Sequence, residues 1–366
     1  MGIDVHNLRV SAIHLVINGS FQVDQRNDGA ELSITSNNKF SADRWTHNND
    51  GHTYYKTQRK NDGPIQTIGT EYYMRATVTT AVTLSGSTSQ CIENNLEGNT
   101  VRWLNLGTSG AKQCTVSFWV RCSLTGTFGG ALVNSGYNRC HPFSYTISSA
   151  NTWEYKTLTF PGATDGTWGT DNGRGFSVRW CMGVGSTRQG TVDTYNGNES
   201  HGTSKQTNLF ATNGATFYIT GMQLEEGNAA TSFEHRSYGE ELALCQRYFL
   251  VWPPRSGGIP AWPVYTGSSQ ASAHVWIPHT MRTTPTPTDK GTGTSTTTGW
   301  LYNNNGQGVT TRYANGSSPT LSCGGDTDNG NFGLNMHFGS YGSGGHEADI
   351  ASWNGTSPGI FLNAEL

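Results

Sequence analysis

The chain has few charged residues, no long apolar run and no basic block, and each absence excludes a class of protein. Charged residues make up 13% of the sequence, about half the share that is usual in soluble proteins. No run of about 18 apolar residues predicts a membrane span. No Lys/Arg cluster predicts binding to nucleic acid. The first ten residues, MGIDVHNLRV, lack the apolar segment of a signal peptide, so we expect no export signal.

Cysteine spacing speaks against a disulfide framework and against a zinc site. The chain has seven cysteines, an odd number, and none stand as Cys-x-x-Cys. This pattern favours reduced thiols, buried as small hydrophobic residues in a protein assembled inside a reducing cell. Residues 326–330 begin like a calcium loop, but the Gly stands one place early and the later Glu is absent. We therefore expect no metal ion and no cofactor.

What the chain does contain is typical of a β-rich protein. It has 47 Gly, 11 Trp and 15 Tyr, and a disordered chain would lack such aromatic residues. Apolar and polar residues alternate over residues 115–122, which indicates a half-buried strand. One face of this strand holds Val116, Phe118, Val120 and Cys122, and the other holds Thr115, Ser117, Trp119 and Arg121. Residues 175–182 and 216–224 show the same pattern. We predict an all-β fold, an antiparallel jelly-roll β-sandwich.

One short helix and a smaller β-region follow the sandwich. Ser237 and Glu240 have the spacing of a capping box, which predicts a helix start. About three turns of helix are not stable alone in water, so this helix must pack on its own chain or on a neighbour. The predicted parts are an N-terminal arm over residues 1–12, a jelly roll over 13–234, a connecting helix over 235–252 and a C-terminal β-domain over 253–366 that oligomerises or faces a ligand.

The apolar side of the helix is the predicted contact for the C-terminal domain or for another subunit. These docking residues are Leu242, Leu244, Cys245, Tyr248 and Phe249. Replacing Leu242 or Leu244 by Asp is expected to release that contact and leave the jelly roll folded. The C-terminal region is too polar to build much of its own core, so its strands are expected to complete their pairing across subunits.

Several segments resemble bacteriophage virion proteins of the tail-fibre or host-attachment type, which carry a jelly roll like that of carbohydrate-binding modules. The matching segments are residues 17–21 (INGSF), 42–45 (ADRW), 116–120 (VSFWV), 151–154 (NTWE), 217–227 (FYITGMQLEEG) and 233–249. The resemblance covers most of residues 13–252 and only short, isolated segments after residue 252. It implies a virion location, a homotrimer, other virion proteins as partners and attachment to host-surface polysaccharide.

The sequence departs from related jelly rolls at two positions. Such folds often bind a structural Ca²⁺ with an acidic residue after the Asn-Gly turn and an Asp near the closing strand. Here Gln22 and Gly221 stand at those places. The loss of two carboxylates removes ligands that Ca²⁺ prefers.

No catalytic set can be identified in the sequence. Glu225–Glu226 and Glu240–Glu241 are paired carboxylates, but neighbours on a strand point to opposite faces, and the second pair suits the start of a helix. Aromatic residues in polar segments are the candidates for stacking on sugars, as against filling gaps in the fold. They are Trp168, Tyr195, Trp300, Tyr302 and Trp353. Trp119 and Trp180 lie in predicted strands, where packing is expected.

The leading hypothesis is a non-enzymatic structural protein of a tailed-phage virion, a tail-fibre or appendage component that binds host glycan. A capsid decoration protein shares this composition and fold. The third hypothesis is a glycan depolymerase. The fourth is a cellular carbohydrate-binding module, which the missing signal peptide disfavours. Labelling of virions with an antibody separates the first two, and a reducing-end assay tests the third.

Overall fold

The computed structural model describes residues 14–252 and the shorter stretches 262–267, 270–276, 280–283, 285–289, 300–302, 320–326, 331–338, 350–352 and 360–366. Side chains are described for residues 14–251, 280–283, 285 and 362–366. The chain divides into two compact units. Unit 1 comprises residues 1–242 with Leu366, and unit 2 comprises residues 243–365.

Unit 1 contains the predicted antiparallel β-sandwich. Its strands are β1 (Leu32–Ser33), β2 (Lys39–Ala42), β3 (Trp45–Asn48), β4 (Tyr55–Lys60), β5 (Tyr73–Val78), β6 (Ser89–Glu97), β7 (Cys114–Cys122), β8 (Gly126–Asn134), β9 (Cys140–Ile147), β10 (Glu154–Phe160), β11 (Arg174–Val184) and β12 (Thr216–Glu226). Sheet A has the order β1-β4-β5-β12-β7-β10, and sheet B has the order β2-β3-β6-β11-β8-β9. The jelly-roll fold class is confirmed.

Helices are short and few in the described residues. They are α1 (Ile65–Ile68), α2 (Gly98–Val101) and α3 (Tyr238–Gln246), with 3₁₀ turns at Arg102–Leu104, Ser186–Arg188 and Leu209–Ala211. The single-turn helices α1 and α2 are additions to the one helix that the sequence predicts. Neither they nor α3 is long and apolar enough to cross a membrane, and this holds for every helix in the described part of the chain.

The core lies between the two sheets, where the alternating residues meet. Val116, Phe118 and Val120 of β7 are fully buried, as the pattern predicts. The Trp180 ring of β11 lies 5.6 Å from Phe118 and 5.7 Å from Trp45. Edge-on and tilted aromatic contacts of this kind stabilise a core beyond the area that they bury. Sheet A and sheet B are therefore held together by large rings.

The last strand of the sandwich, β12, lies in the middle of sheet A. It pairs with β5 on one side and with β7 on the other. A β-bulge interrupts the second pairing, because the register moves from Thr220 opposite Trp119 to Gln223 opposite Ser117. Gly221 lies in this bulge with φ +61°, a conformation that side chains other than Gly adopt at a cost. A Cβ at position 221 would also approach Cδ1 of Trp119 to 3.2 Å, so Gly fits this bulge without displacing the Trp119 ring.

The bulge also contacts the first turn of the described chain. The Met222 amide donates to the Gly19 carbonyl at 3.0 Å, and the Met222 carbonyl occupies the space that a Cβ at position 19 would need. The Asn18 side chain accepts from the Val23 amide at 3.0 Å and donates to the Val23 and Asp43 carbonyls. The Asn-Gly turn is thus fixed by both of its residues.

Residues 236–241 are tied to this same turn within unit 1. Arg236 donates to the carbonyls of His14 and Val16 at 2.7 and 3.3 Å. Glu241 accepts from the Asn18 amide at 2.5 Å and lies 3.5 Å from Arg236. Burial raises the pKa of the Glu241 carboxyl. The start of α3 is therefore anchored by one buried carboxylate and one guanidinium.

The predicted capping box at the start of α3 is confirmed. The Ser237 amide and hydroxyl donate to the Glu240 carboxylate at 2.9 and 2.8 Å, and the Glu240 amide donates back to the Ser237 hydroxyl at 3.3 Å. Two amides that would lack partners at a helix start are satisfied in this way. The two hydrogen bonds to the Glu240 carboxylate lower its pKa.

Unit 2 consists of short antiparallel sheets. Its strands are β13 (Phe249–Trp252), β14 (Trp262–Gly267), β15 (Gln270–Trp276), β16 (Thr286–Asp289), β17 (Trp300–Tyr302), β18 (Thr320–Asp326), β19 (Asn331–Phe338), β20 (Ile350–Ser352) and β21 (Ile360–Asn363). The sheets have the orders β13-β21-β16, β14-β15-β19-β18 and β17-β20. The first strand, β13, pairs with the last, β21, and the Ala364 amide extends this pairing to the Tyr248 carbonyl at 2.8 Å.

The cysteine prediction is confirmed wherever side chains are described. Six cysteines form no disulfide and are buried: Cys91, Cys114, Cys122, Cys140, Cys181 and Cys245. Burial raises the pKa of Cys114 to about 12 and that of Cys122 to about 11. Neutral thiols of this kind behave as small hydrophobic residues. The side chain of Cys323 lies outside the described residues.

Two buried histidines should make the protein sensitive to acid. His47 is fully buried between the hydroxyls of Tyr55 and Ser41, each 2.8 Å from a ring nitrogen. Burial lowers its pKa to about 3, and burial followed by the charge of Arg236 does the same for His14. An unfolded His binds a proton near pH 6.5, whereas these stay neutral when folded. Stability is therefore lost as the pH falls below 6.5 and towards 3, by about 1.4 kcal/mol per pH unit for each group.

The measurement is the urea unfolding midpoint between pH 7.5 and 4.5 for the protein and for His47→Gln. We expect the variant to lose stability less steeply with acid. Asp24 and Glu241 have pKa values raised by burial and act in the opposite sense, but both proteins share that contribution. Parallel curves for the two proteins would show that His47 does not cause the acid sensitivity.

Candidate functional site

The outer face of sheet A carries a group of aromatic side chains that do not belong to the core. Alternation along β7 turns Trp119 and Arg121 outward, because Val120 and Cys122 point into the sandwich. Strand register then places Tyr155 of β10 beside Trp119, and Tyr218 of β12 beside Arg121. We call Tyr73, Trp119, Arg121, Trp153, Tyr155 and Tyr218 the open face.

The rings of the open face form two contacting groups. The Trp119 and Tyr155 ring centres lie 5.3 Å apart. The Tyr73 ring lies 5.5 Å from Trp153 and 5.7 Å from Tyr218, and the last two lie 6.2 Å apart. Tyr155 is 43% exposed, Trp119, Trp153 and Tyr218 are half-buried, and Tyr73 is buried. These contacts hold the rings in place while Tyr155 stays accessible to a ligand.

Polar groups surround the rings of the open face. The Arg121 guanidinium lies over the Tyr218 ring, 4.8 Å from its centre. The Tyr73 hydroxyl donates to Asp62 at 2.8 Å, and burial together with this contact raises its pKa. Thr220 donates to the Tyr72 carbonyl at 2.6 Å. Aromatic rings beside hydrogen-bonding groups are what a sugar ring requires, since it presents apolar C–H faces and polar edges.

Residues 231–234, which follow β12, fold back over a part of the outer face of sheet A that the open face does not occupy. Gln223 donates to the Thr231 hydroxyl at 3.1 Å and accepts from the Glu234 amide at 2.8 Å. The Thr231 hydroxyl and amide donate to Glu225, which is fully buried. The neighbouring carboxylate, Glu226, pairs with Lys112 at 3.1 Å. Glu225 and Glu226 thus both contact other residues of unit 1, and the open face ends at this segment.

The outer face of sheet B is polar but buried. Arg179 and Glu93 are paired across β11 and β6 with Nε and a carboxylate oxygen 2.5 Å apart. Burial works to lower the pKa of Arg179, and the charge of Glu93 raises it above its usual value. Arg179 also contacts His201 at 2.5 Å, while its Nη2 atom has no partner among the described residues. Burial of these two charges is tolerated because they neutralise each other, and removal of one of them would leave the other buried without a partner charge.

One trio beside this pair has the composition of a catalytic set. The Ser89 hydroxyl lies 2.7 Å from Nδ1 of His201, and Nε2 of His201 lies 3.1 Å from Glu199. Ser89 is 0% exposed, however, and its hydroxyl also bonds to Asn48 at 2.9 Å. A nucleophile must reach its substrate. Ser89, His201 and Glu199 therefore have the residue types of a catalytic set, but the buried Ser89 hydroxyl cannot contact a substrate.

Trp168 and Tyr195, two of the predicted glycan-stacking residues, are brought into contact with each other. Trp168 is 8% exposed, with its ring 6.0 Å from Phe176 and its Nε1 donating to the Asp165 carbonyl at 3.0 Å. Tyr195 is half-buried, 6.1 Å from the Trp168 ring, and its hydroxyl donates to the Pro161 carbonyl at 2.9 Å. Both rings therefore pack into unit 1. The side chains of Trp300 and Tyr302, and Trp353 as a whole, lie outside the described residues, and their roles stay predictions.

The five predicted docking residues differ in how far their side chains are exposed. Cys245, Tyr248 and Phe249 are buried. Leu242 is half-buried, and Leu244 is 37% exposed. Leu244 is thus the most exposed of the five predicted docking residues.

Sequence reasoning missed the open face, although one signal for it was present. The period-2 pattern already separates Trp119 and Arg121 from the core side of β7. A strand Trp on the polar side of such a pattern is exposed unless another element covers it. Trp180, by contrast, lies on the apolar side and is fully buried, so the expectation of packing is correct for Trp180 and incomplete for Trp119.

Metal binding finds no support among the residues whose side chains are described, since no cluster of three or more His, Cys, Asp or Glu side chains is suitably placed. The calcium-like stretch at residues 326–330 lies outside the described side chains.

No known family profile and no curated protein matches the chain. Solved structures with a similar fold include a tailspike domain of bacteriophage CBA120, with 12% identity, TM-score 0.31 and coverage of 54% of this chain and 21% of that one. A Bacteroides thetaiotaomicron protein named as a candidate for sugar binding has 10% identity, TM-score 0.34 and coverage of 59% and 100%. A family 11 carbohydrate-binding module of Clostridium thermocellum has 12% identity, TM-score 0.26 and coverage of 57% and 99%.

The chain therefore spans about a fifth of the tailspike structure and the whole of the two smaller ones. Because these similarities are weak, they add nothing to what the residues of the open face indicate.

Proposed function

We propose that this protein binds glycan through the open face. The observation that supports the proposal is the set of rings fixed across four neighbouring strands, with Tyr155 accessible and Trp119, Trp153 and Tyr218 half-buried. Four strands at about 4.8 Å spacing extend over about 14 Å, enough for more than one sugar ring. Rings with an apolar face and a fixed orientation bind at a small cost in conformational entropy.

The test is affinity electrophoresis of the full chain in gels that contain purified bacterial surface polysaccharides, with dextran as the neutral reference. We expect at least one polysaccharide to retard the protein in proportion to its concentration. Equal mobility in every gel contradicts the proposal. A reducing-end assay on the same mixtures tests the depolymerase alternative, for which the buried Ser89 is the counter-argument; released ends would support an enzyme.

The role of such binding is proposed to be host attachment by a tailed-phage virion, with this chain as a homotrimeric component of a tail fibre or appendage. The support is the sequence resemblance over residues 217–249 and the low charge of the chain. Capsid decoration is the alternative, because it requires the same fold. Immunogold labelling of virions distinguishes them, since label at the tail tip and label over the head are exclusive outcomes.

Leu244 provides a test of the proposed oligomer. Since this side chain is 37% exposed on α3, an Asp at this position should weaken a contact with another subunit without affecting the sandwich core. We expect Leu244→Asp to lower the molar mass measured by light scattering towards that of one chain. Gln246→Asp is the control, because it adds the same charge on the same helix. An unchanged mass for Leu244→Asp would remove this helix from the subunit contact.

A further inference from the structure

The cations of the outer face of sheet A differ in whether a carboxylate neutralises them. Lys56 lies 2.6 Å from Glu31, and Arg75 lies 3.6 Å from the same carboxylate and donates to Gln58 at 2.8 Å. These two charges are satisfied within the protein. Arg121 and Lys60 have no ion pair with any described residue.

Arg121 is positioned by the ring beneath it. Its guanidinium lies over Tyr218, 4.8 Å from the ring centre, and its Nε atom is buried without an acceptor among the described residues. A half-buried guanidinium loses hydration, and a missing acceptor leaves that loss uncompensated. The contact holds the guanidinium of Arg121 over Tyr218, while the Nε–H donor has no acceptor among the described residues.

Lys60 lies on the same face at a separate position. It pairs in register with Tyr73 on β5, whereas Arg121 pairs with Tyr218 on β12. From β4 to β7 there are three strand spacings, so the two backbones lie about 14 Å apart across the sheet. The rings of Tyr73 and Tyr218 lie between the two cations. A polymer that crosses these rings therefore passes both positive charges.

We propose that the glycan bound by the open face is acidic, with a carboxylate on its sugar units that pairs with Arg121, and that Lys60 adds attraction for a second one. This rests on the proposed glycan-binding function and goes beyond it by naming the ligand class. A planar guanidinium matches a carboxylate through two parallel N–H donors. The apolar sugar face lies on Trp119 and Tyr155 while the carboxylate reaches Arg121. Uronic acids and sialic acids share this chemistry.

The experiment compares polysaccharides that differ in charge alone. The probes are polygalacturonate, hyaluronan and polysialic acid, each beside its carboxyl-reduced form, with dextran and dextran sulfate as the sulfate pair. Binding to the full chain is measured by biolayer interferometry at 50 and 300 mM NaCl. We expect at least one carboxylated polymer to bind ten times or more tightly than its reduced form, and the difference to shrink at the higher salt concentration.

Three variants connect the preference to the residues. Arg121→Gln should remove most of the preference for the acidic polymer and leave the smaller part that Lys60 contributes, while weak binding of the reduced form persists. Arg121→Lys keeps the charge without the planar pair of donors and should recover part of the difference. Lys205→Gln removes one positive charge from an exposed position in the loop after β11 and should change neither affinity.

Each result decides between the two proposals. Equal binding of native and reduced polymers overturns the acidic-ligand inference and leaves glycan binding in place. An acidic preference that is as large in Arg121→Gln as in the parent chain also overturns it, because the carboxylate would then bind at another position. Binding to dextran sulfate without binding to any carboxylated polymer replaces the carboxylate by a sulfate ester. No binding to any acidic, reduced or neutral polymer removes the glycan-binding proposal and this inference with it.

Discussion

Replacing Tyr155 by Ala is expected to weaken glycan binding about thirty-fold, which corresponds to about 2 kcal/mol. Tyr155 is the most exposed ring of the open face at 43%, so a ligand loses its contact directly. The same exposure means that the change creates no cavity in the core. Trp119→Ala should have an equal or larger effect, because the Trp119 ring also supports Tyr155 from 5.3 Å.

The control for both variants is Thr157→Ala, which changes the next outward position of β10 without removing a ring. Dissociation constants are measured by titration calorimetry with the polysaccharide that binds the parent chain, and thermal unfolding is recorded in parallel. If Tyr155→Ala binds as tightly as Thr157→Ala, the open face is not the glycan site. A drop in thermal stability for Trp119→Ala alone would show that this ring also has a structural role.

The second large effect is expected on stability, from the pair Arg179 and Glu93. Replacing Arg179 by Met leaves the Glu93 carboxylate buried without its cation, so we expect a loss of about 3–5 kcal/mol in the free energy of unfolding. The double variant Arg179→Met with Glu93→Leu removes both charges. It should recover most of that loss, because an apolar pair of similar volume needs no compensating charge.

Urea unfolding followed by tryptophan fluorescence measures both variants, and Trp180 and Trp45 in the core report on the sandwich. His201 contacts Ser89 and Glu199 as well as Arg179, so the single and the double variant both remove the same one of these three partners and are matched in that respect. A double variant as unstable as Arg179→Met would mean that the lost packing of Arg179, and not the orphaned charge, causes the effect.

Local rules predicted the features of this fold that depend on a few neighbouring residues. The period of β7 placed Val116, Phe118 and Val120 in the core, and the spacing of Ser237 and Glu240 predicted the cap of α3. Each of these depends on residues within one strand or one helical turn. The same holds for Asn18–Gly19, where the dipeptide alone predicts a turn.

The open face could not be predicted in this way because its members are distant in sequence. Tyr73, Trp119 and Tyr218 lie on strands that become neighbours only after β12 enters the middle of sheet A. The opposite error arose at Trp168, whose polar sequence surroundings favoured exposure. Its ring instead packs on Phe176, since a loop can fold back over the end of a sandwich.

The pairing of β13 with β21 places the start and the end of the C-terminal third of the chain side by side. The polypeptide leaves β13 after residue 252 and enters β21 at residue 360. Residues 253–359 therefore begin and end at two neighbouring strands of one sheet. Within this segment, β16 pairs with the other side of β21, so a change in sequence that keeps β16 leaves the three-stranded sheet β13-β21-β16 complete. The connections between β13, β16 and β21 can therefore differ in length while the chain still leaves and re-enters the same sheet.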